Sequence, residues 1–158
     1  MKKLKLYLDT SVISHLKQDD APEKMADTLQ LWEEIKAGLY DVVISDVTLD
    51  EINDCPEPKR TLLYDFLSII DFELIEVDPT TQDIAIKFVQ NNILTTKSLD
   101  DCRHIACAIV NECDIIISWN FKHIVNYRTM KGVKLISAIT GYKEVMIQTP
   151  TILISKEE

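Results

Sequence analysis

The alternation of short apolar runs with helical stretches constrains this chain more than any other feature. Residues 4–8 alternate in polarity and stop at Asp9, which predicts a first strand. Thr10 and Ser11 offer caps for a short helix reaching His15. Met25, Leu29, Trp32 and Ile35 then recur at helical spacing ahead of Gly38. The β-branched run at 41–45 predicts a second strand. A short helix at 47–52 follows, then an amphipathic one over 59–70, with Leu62, Leu63, Phe66, Leu67 and Ile70 on one side. A third strand is expected at 72–77, helices at 79–91 and 99–111, a fourth strand at 114–118 and a fifth at 133–136. Ser98 is the expected cap of the 99–111 helix. The runs at 145–147 and 152–154, around Pro150, read as an edge strand or a tail. Strands that alternate with helices predict an α/β fold with a mainly parallel sheet covered on both faces. The 158 residues contain no repeat and no linker, so a single domain, 1–158, is expected.

Parallel sheets bind ligands at the carboxyl ends of their strands. That rule makes Asp9, Ser45 with the residues just beyond it, and Ser118-Trp119-Asn120 the residues to examine. Asp9 reads equally as a helix N-cap and as a carboxylate projecting from a rigid strand end. Glu51 lies one or two helical turns beyond the second strand, with Asp46 and Asp50 as competitors for any role given to it. Asp101 opens a helix whose Ile105, Ala108 and Ile109 share its face. The helix dipole alone would favour an acid there. Neighbouring Asp100 is the more natural solvent-facing acid of the pair.

Charge narrows the function. The 26 acids against 17 bases give −9, whereas a protein that held nucleic acid by charge alone would be basic. Handling a polyanion would therefore need a neutralising partner, and a divalent metal is the obvious one. Residues 115–143 contain no acid but include Lys122, Arg128, Lys131, Lys134 and Lys143, a local +5 that leaves −14 on the remainder. This stretch is either a solvated face or a patch that meets phosphates. The three glycines are too far apart for a GxGxxG or P-loop motif. Cys55, Cys102, Cys107 and Cys113 form no CxxC and read as free thiols. No apolar run is long enough to span a membrane, and Lys5 and Asp9 interrupt any signal-peptide core, so a cytoplasmic protein is expected. Of the histidines, His104 and His123 read more readily as structural or exposed than as catalytic. Trp32 and Trp119 read as core, with base stacking the alternative for Trp119.

Taken together, an acid after strand one, a glutamate after strand two and an acid opening the helix before strand four resemble the PIN domain. This is the nuclease fold of the VapC-type toxins. The likeness rests on Leu8-Asp9-Thr10-Ser11-Val12-Ile13, Ser45-Asp46-Val47-Thr48-Leu49-Asp50-Glu51-Ile52, Asp101-Cys102-Arg103-His104-Ile105-Ala106-Cys107-Ala108 and Ser118-Trp119-Asn120-Phe121. It covers residues 4–137 and leaves 138–158 as a C-terminal strand or tail. It implies a three-layer sandwich with about five strands, and metal-dependent endoribonuclease activity. Asp9, Glu51 and Asp101 fall on the family's acids. PIN domains usually carry a fourth acid after strand four, where this chain has Asn120. Asp114 cannot replace it, because it stands at the other end of that strand, roughly 13 Å away.

The resemblance assigns catalysis to Asp9, Glu51, Asp101 and Asn120, with the three acids holding Mg²⁺ or Mn²⁺. Such an ion lowers the pKa of bound water and screens the phosphate. Without it, three convergent carboxylates would repel one another. Ser11 and Ser118 would orient carboxylate or water. Lys122, His123 and Arg128 are candidate RNA contacts. The implied partners are an RNA substrate, a cognate antitoxin and a second copy of the chain. A non-catalytic PIN-like module that binds RNA or protein is the alternative, supported by Asn120. An aspartyl phosphatase of the haloacid dehalogenase type would need a second acid where Ser11 stands. A receiver-type signalling domain does not match the order of acids.

Overall fold

The computed structural model describes residues 2–155; Met1 and residues 156–158 of the expected domain lie outside the described residues. Five strands form one parallel sheet in the order β3-β2-β1-β4-β5: β1 Leu4–Leu8, β2 Tyr40–Ser45, β3 Glu73–Ile75, β4 Ile115–Ile117 and β5 Met146–Gln148. Eight α-helices accompany them among the described residues: α1 Thr10–Ser14, α2 Pro22–Lys36, α3 Asp46–Asn53, α4 Lys59–Ser68, α5 Pro79–Gln90, α6 Leu99–Val110, α7 Tyr127–Thr140 and α8 Pro150–Leu153.

Side-chain alternation along the strands sorts the interior into two halves. Leu6, Leu8, Val42, Ile44, Ile115 and Ile117 face one way, onto Val12, Leu31, Trp32, Ile52 and Leu63 of α1 to α4. Tyr7, Val43 and Ile116 face the other, onto Ile84 and Phe88 of α5, Ile105 of α6 and Val133 and Ile136 of α7. The result is the α/β three-layer sandwich that the alternating pattern implied. Cys102, Cys107 and Cys113 are buried free thiols, and Cys55 is half-buried.

The fifth strand is not where the sequence pattern put it. Residues 133–136 belong to α7, where Thr129, Gly132, Val133, Ile136 and Ser137 are buried and Leu135 is exposed. That is a helical period, which an apolar run of four residues cannot reveal. Asn126 caps the helix by accepting the Thr129 N–H at 2.9 Å, and Gly141, at φ 81°, ends it. Gly132 allows close packing here, since a Cβ would come within 2.6 Å of Ile93. The run that pairs with β4 is β5, while 152–154 falls at the end of a short helix. Ser98 precedes α6 without a side-chain cap bond. The cap of α1 is Asp9, not Thr10 or Ser11.

Chain order reverses at β1: β2 and β3 extend the sheet on one side, β4 and β5 on the other. The registers Leu8↔Ile117 and Tyr7↔Val43 bring the ends of β1, β2 and β4 together. A crevice at such a switch point is where open parallel sheets place ligands.

Candidate active site

Asp9 follows the last residue of β1 and is only 2% exposed. Its Oδ1 accepts Ser11 Oγ–H at 2.6 Å and the Val12 N–H at 3.3 Å, and its Oδ2 accepts Ser118 Oγ–H at 2.6 Å. The cap reading of Asp9 is therefore met, while its carboxylate lies buried behind Ser11 and Ser118 at the carboxyl end of β1. Burial pushes its carboxyl above the ordinary range, against the lowering effects of the His104 charge and these hydrogen bonds.

Glu51 projects from α3 and remains partly open, with its side chain 35% exposed. Its Oε1 accepts Thr10 Oγ1–H at 2.8 Å and lies 2.6 Å from His104 Nε2. Burial would raise this carboxyl, but the His104 hydrogen bond, the His104 charge and Thr10 together hold it low. Competing Asp46 turns instead to the Val77 N–H, at 3.3 Å from its Oδ1.

Asp101 sits in the first turn of α6. Its Oδ1 accepts Asn120 Nδ2–H at 3.2 Å, and His123 Nδ1 meets its Oδ2 at 2.9 Å. Burial raises its carboxyl, and the charge of Asp9 adds to that, opposed by His104 and His123. Asn120 thus braces the site with both ends of its amide, because its Oδ1 accepts the His123 N–H at 2.9 Å. Ser118 Oγ lies 3.4 Å from Ser11 Oγ and accepts the Asn120 N–H, so the two serines and the β4 end form one connected set around Asp9. Trp119 is a core residue whose Nε1–H donates to Thr28 at 2.8 Å.

His104 is the participant that sequence reasoning undervalued. It is 1% exposed, and its ring reaches Glu51 on one side and Tyr7 OH, 2.6 Å from Nδ1, on the other. Burial would lower its pKa, but the Glu51 hydrogen bond and the charges of Asp9, Glu51 and Asp101 outweigh that and raise it. The available signal was one imidazole directly ahead of the apolar stretch Ile105-Ala106-Cys107-Ala108.

Among the described residues, no Lys or Arg pairs with Asp9, Glu51 or Asp101, and no three His, Cys, Asp or Glu side chains stand close enough to enclose an ion. The donor chemistry nevertheless fits a hard divalent cation: three carboxylates, two of them with pKa values raised by burial, plus an amide. Beside Asp101, Lys122, His123, Tyr127 and Arg128 line a groove of about 710 Å³ with Phe121 and no acidic residue. Arg128 Nη2–H donates to the Asn92 carbonyl at 3.0 Å.

The family model of the PIN domain matches residues 6–122, a span that contains Asp9, Glu51, Asp101 and Asn120. The chain belongs to the PIN domain family. Two solved structures share the fold of this PIN domain. The VapBC2 complex of Rickettsia felis, bound to a DNA fragment from its promoter, has a TM-score of 0.56 at 13% identity, covering 92% of this chain and 98% of that one. VapC20 of Mycobacterium tuberculosis, a sarcin–ricin loop cleaving toxin, has a TM-score of 0.57 at 15% identity, covering 89% and 98%. No curated relative matches the sequence. No helix among the described residues is long and apolar enough to cross a membrane.

Proposed function

We propose that this PIN domain is a divalent-metal-dependent endoribonuclease and the toxin of a type II toxin–antitoxin pair. One observation carries the reading: Asp9 is buried at a strand end among hydroxyl donors, close enough to Asp101 for its charge to raise that carboxyl, with no Lys or Arg paired to either. Such a cluster has histidines but no lysine or arginine against its acids, and Asp9, Glu51 and Asp101 would hold Mg²⁺ or Mn²⁺. The ion would supply an activated water and relief of charge on the scissile phosphate. Ser11 and Ser118 fix the Asp9 carboxylate, while Asn120 and His123 fix that of Asp101. Lys122, His123 and Arg128 line a groove that would take the RNA backbone next to the acids, and exposed Phe121 and Tyr127 offer faces to unstacked bases.

The two structural neighbours are a VapBC pair and a VapC toxin, which supports an antitoxin partner here; a cytoplasmic setting and association with a second copy belong to the same proposal. One observation favours the second reading, a non-catalytic binding module: the position of the family's fourth acid holds an amide already satisfied on both sides. Incubation with structured RNA in Mn²⁺ or Mg²⁺ separates the two. We expect cleavage that is lost in EDTA and lost in Asp9→Asn. Retained RNA binding by a folded wild type that never cleaves would favour the module.

A further inference from the structure

Behind Glu51 runs a buried polar row that a core has no intrinsic use for. Ser45 Oγ lies 2.8 Å from Tyr7 OH, Tyr7 OH lies 2.6 Å from His104 Nδ1, and His104 Nε2 lies 2.6 Å from Glu51 Oε1. Tyr7 and Ser45 are fully buried and His104 is 1% exposed. The row joins β2, β1, α6 and α3 in sequence. Buried polar groups are costly unless every member is partnered. Apolar side chains of matching shape would serve stability at least as well. The row must therefore be explained by the group at its open end.

We infer that His104 is a positioning residue that holds the Glu51 carboxylate for a metal ion, anchored from behind by Tyr7 and Ser45. The inference rests on the proposed metal site of Asp9, Glu51 and Asp101. A carboxylate only accepts hydrogen bonds, so Nε2 carries the proton toward Glu51 whether the imidazole is neutral or charged. Oε1 is thereby committed to His104 and Thr10, and among the described residues no donor reaches Oε2. One oxygen is clamped and the other is left for a ligand. Without the imidazole, Thr10 alone would hold a long, partly exposed side chain that has several rotamers to sample. Partners of this kind, one bond behind a metal ligand, commonly change metal affinity by about 10–100-fold.

The two ring nitrogens allow a discriminating test. A glutamine amide nitrogen reaches about where Nε2 lies and retains the bond to Glu51; an asparagine amide reaches only as far as Nδ1 and retains the bond to Tyr7. Mn²⁺ affinity of wild type, His104→Gln, His104→Asn and Tyr7→Phe is measured by titration calorimetry, with folding checked by circular dichroism. We expect His104→Gln to bind Mn²⁺ nearly as wild type does, and His104→Asn to bind about 10–100-fold more weakly. Tyr7→Phe, which lets the ring turn, should fall between them and serves as the readout if His104→Asn does not fold. Equal affinity in the Gln and Asn variants, or wild-type affinity in Tyr7→Phe, overturns the positioning role and leaves the metal site standing. A wild type that binds no Mn²⁺ overturns both.

Discussion

Asp9 and Asp114 stand at opposite ends of the neighbouring strands β1 and β4, and their surroundings solve the problem of an acid at a strand end in opposite ways. Asp114 accepts the Lys5 N–H at 2.8 Å and pairs with Lys143 Nζ at 2.9 Å. The backbone hydrogen bond and the lysine hold its carboxyl low. Asp9 has only hydroxyl and backbone donors, is almost wholly buried, and is pushed up. Asp114 is completed by the protein itself. Asp9 is held by geometry, with no lysine or arginine paired to it and only the His104 charge to oppose its burial. The proposed metal site gives this difference a use, since an acid that is well held and pushed up by burial is open to a cation.

The largest effect expected from this contrast is on chemistry. Asp9→Asn should lower metal-dependent RNA cleavage by more than about 100-fold, beyond the range for residues that only support a ligand. Its melting temperature in EDTA should equal or exceed that of wild type, because a buried charge has been removed. Asp114→Asn should leave cleavage intact. If the two variants lose activity alike, the division between the sheet's ends is wrong.

A smaller effect separates the supporting donors. Ser118→Ala removes a 2.6 Å hydrogen bond to Asp9. It should cost about 1–3 kcal/mol in urea unfolding and weaken Mn²⁺ binding by about 10–100-fold. Lys143→Ala at the other end breaks an exposed pair, and should cost under about 1 kcal/mol with no change in Mn²⁺ affinity. Parallel changes in both variants would mean that Ser118 acts through fold stability alone.

The same contrast explains what could be read in the chain. β1 was legible because its residues alternate in polarity up to Asp9, and β2 and β4 because a buried parallel strand writes itself as a short β-branched run; the polar residue after each must lie at its rim. β5 was legible only as one of two readings, an edge strand or a tail at 145–147, because Met146–Gln148 and residues 133–136 are both too short to display a period. His104 was not legible as part of the site because its partner Glu51 lies 53 residues away. One imidazole on an apolar helix face announces no partner. Asn120 was visible as a departure from the family pattern, but its two-sided bracing of Asp101 and His123 depends on a turn that only the folded chain displays.

The smallest effect is the most exacting test, because it asks for opposite signs. Asp114 has a folded-state pKa below the ordinary aspartate value of 3.8, so its stabilisation is present above that value and fades as pH falls through the lowered one. The gap in stability between wild type and Asp114→Asn, under about 1 kcal/mol for so exposed a pair, should be widest near neutral pH and close in acid. Asp9 has a folded-state pKa above 3.8, so its favourable contribution is complete below that value and is lost as pH rises through the raised one. In EDTA, wild type should therefore lose stability relative to Asp9→Asn as pH rises, and saturating Mn²⁺ should reverse that trend by rewarding the ionised form. Melting curves from acid to neutral pH, with and without the ion, track both gaps in one experiment. Two slopes of the same sign would show that Asp9 is neutralised from within the protein, as Asp114 is, and that no cation is needed at the carboxyl end of this sheet.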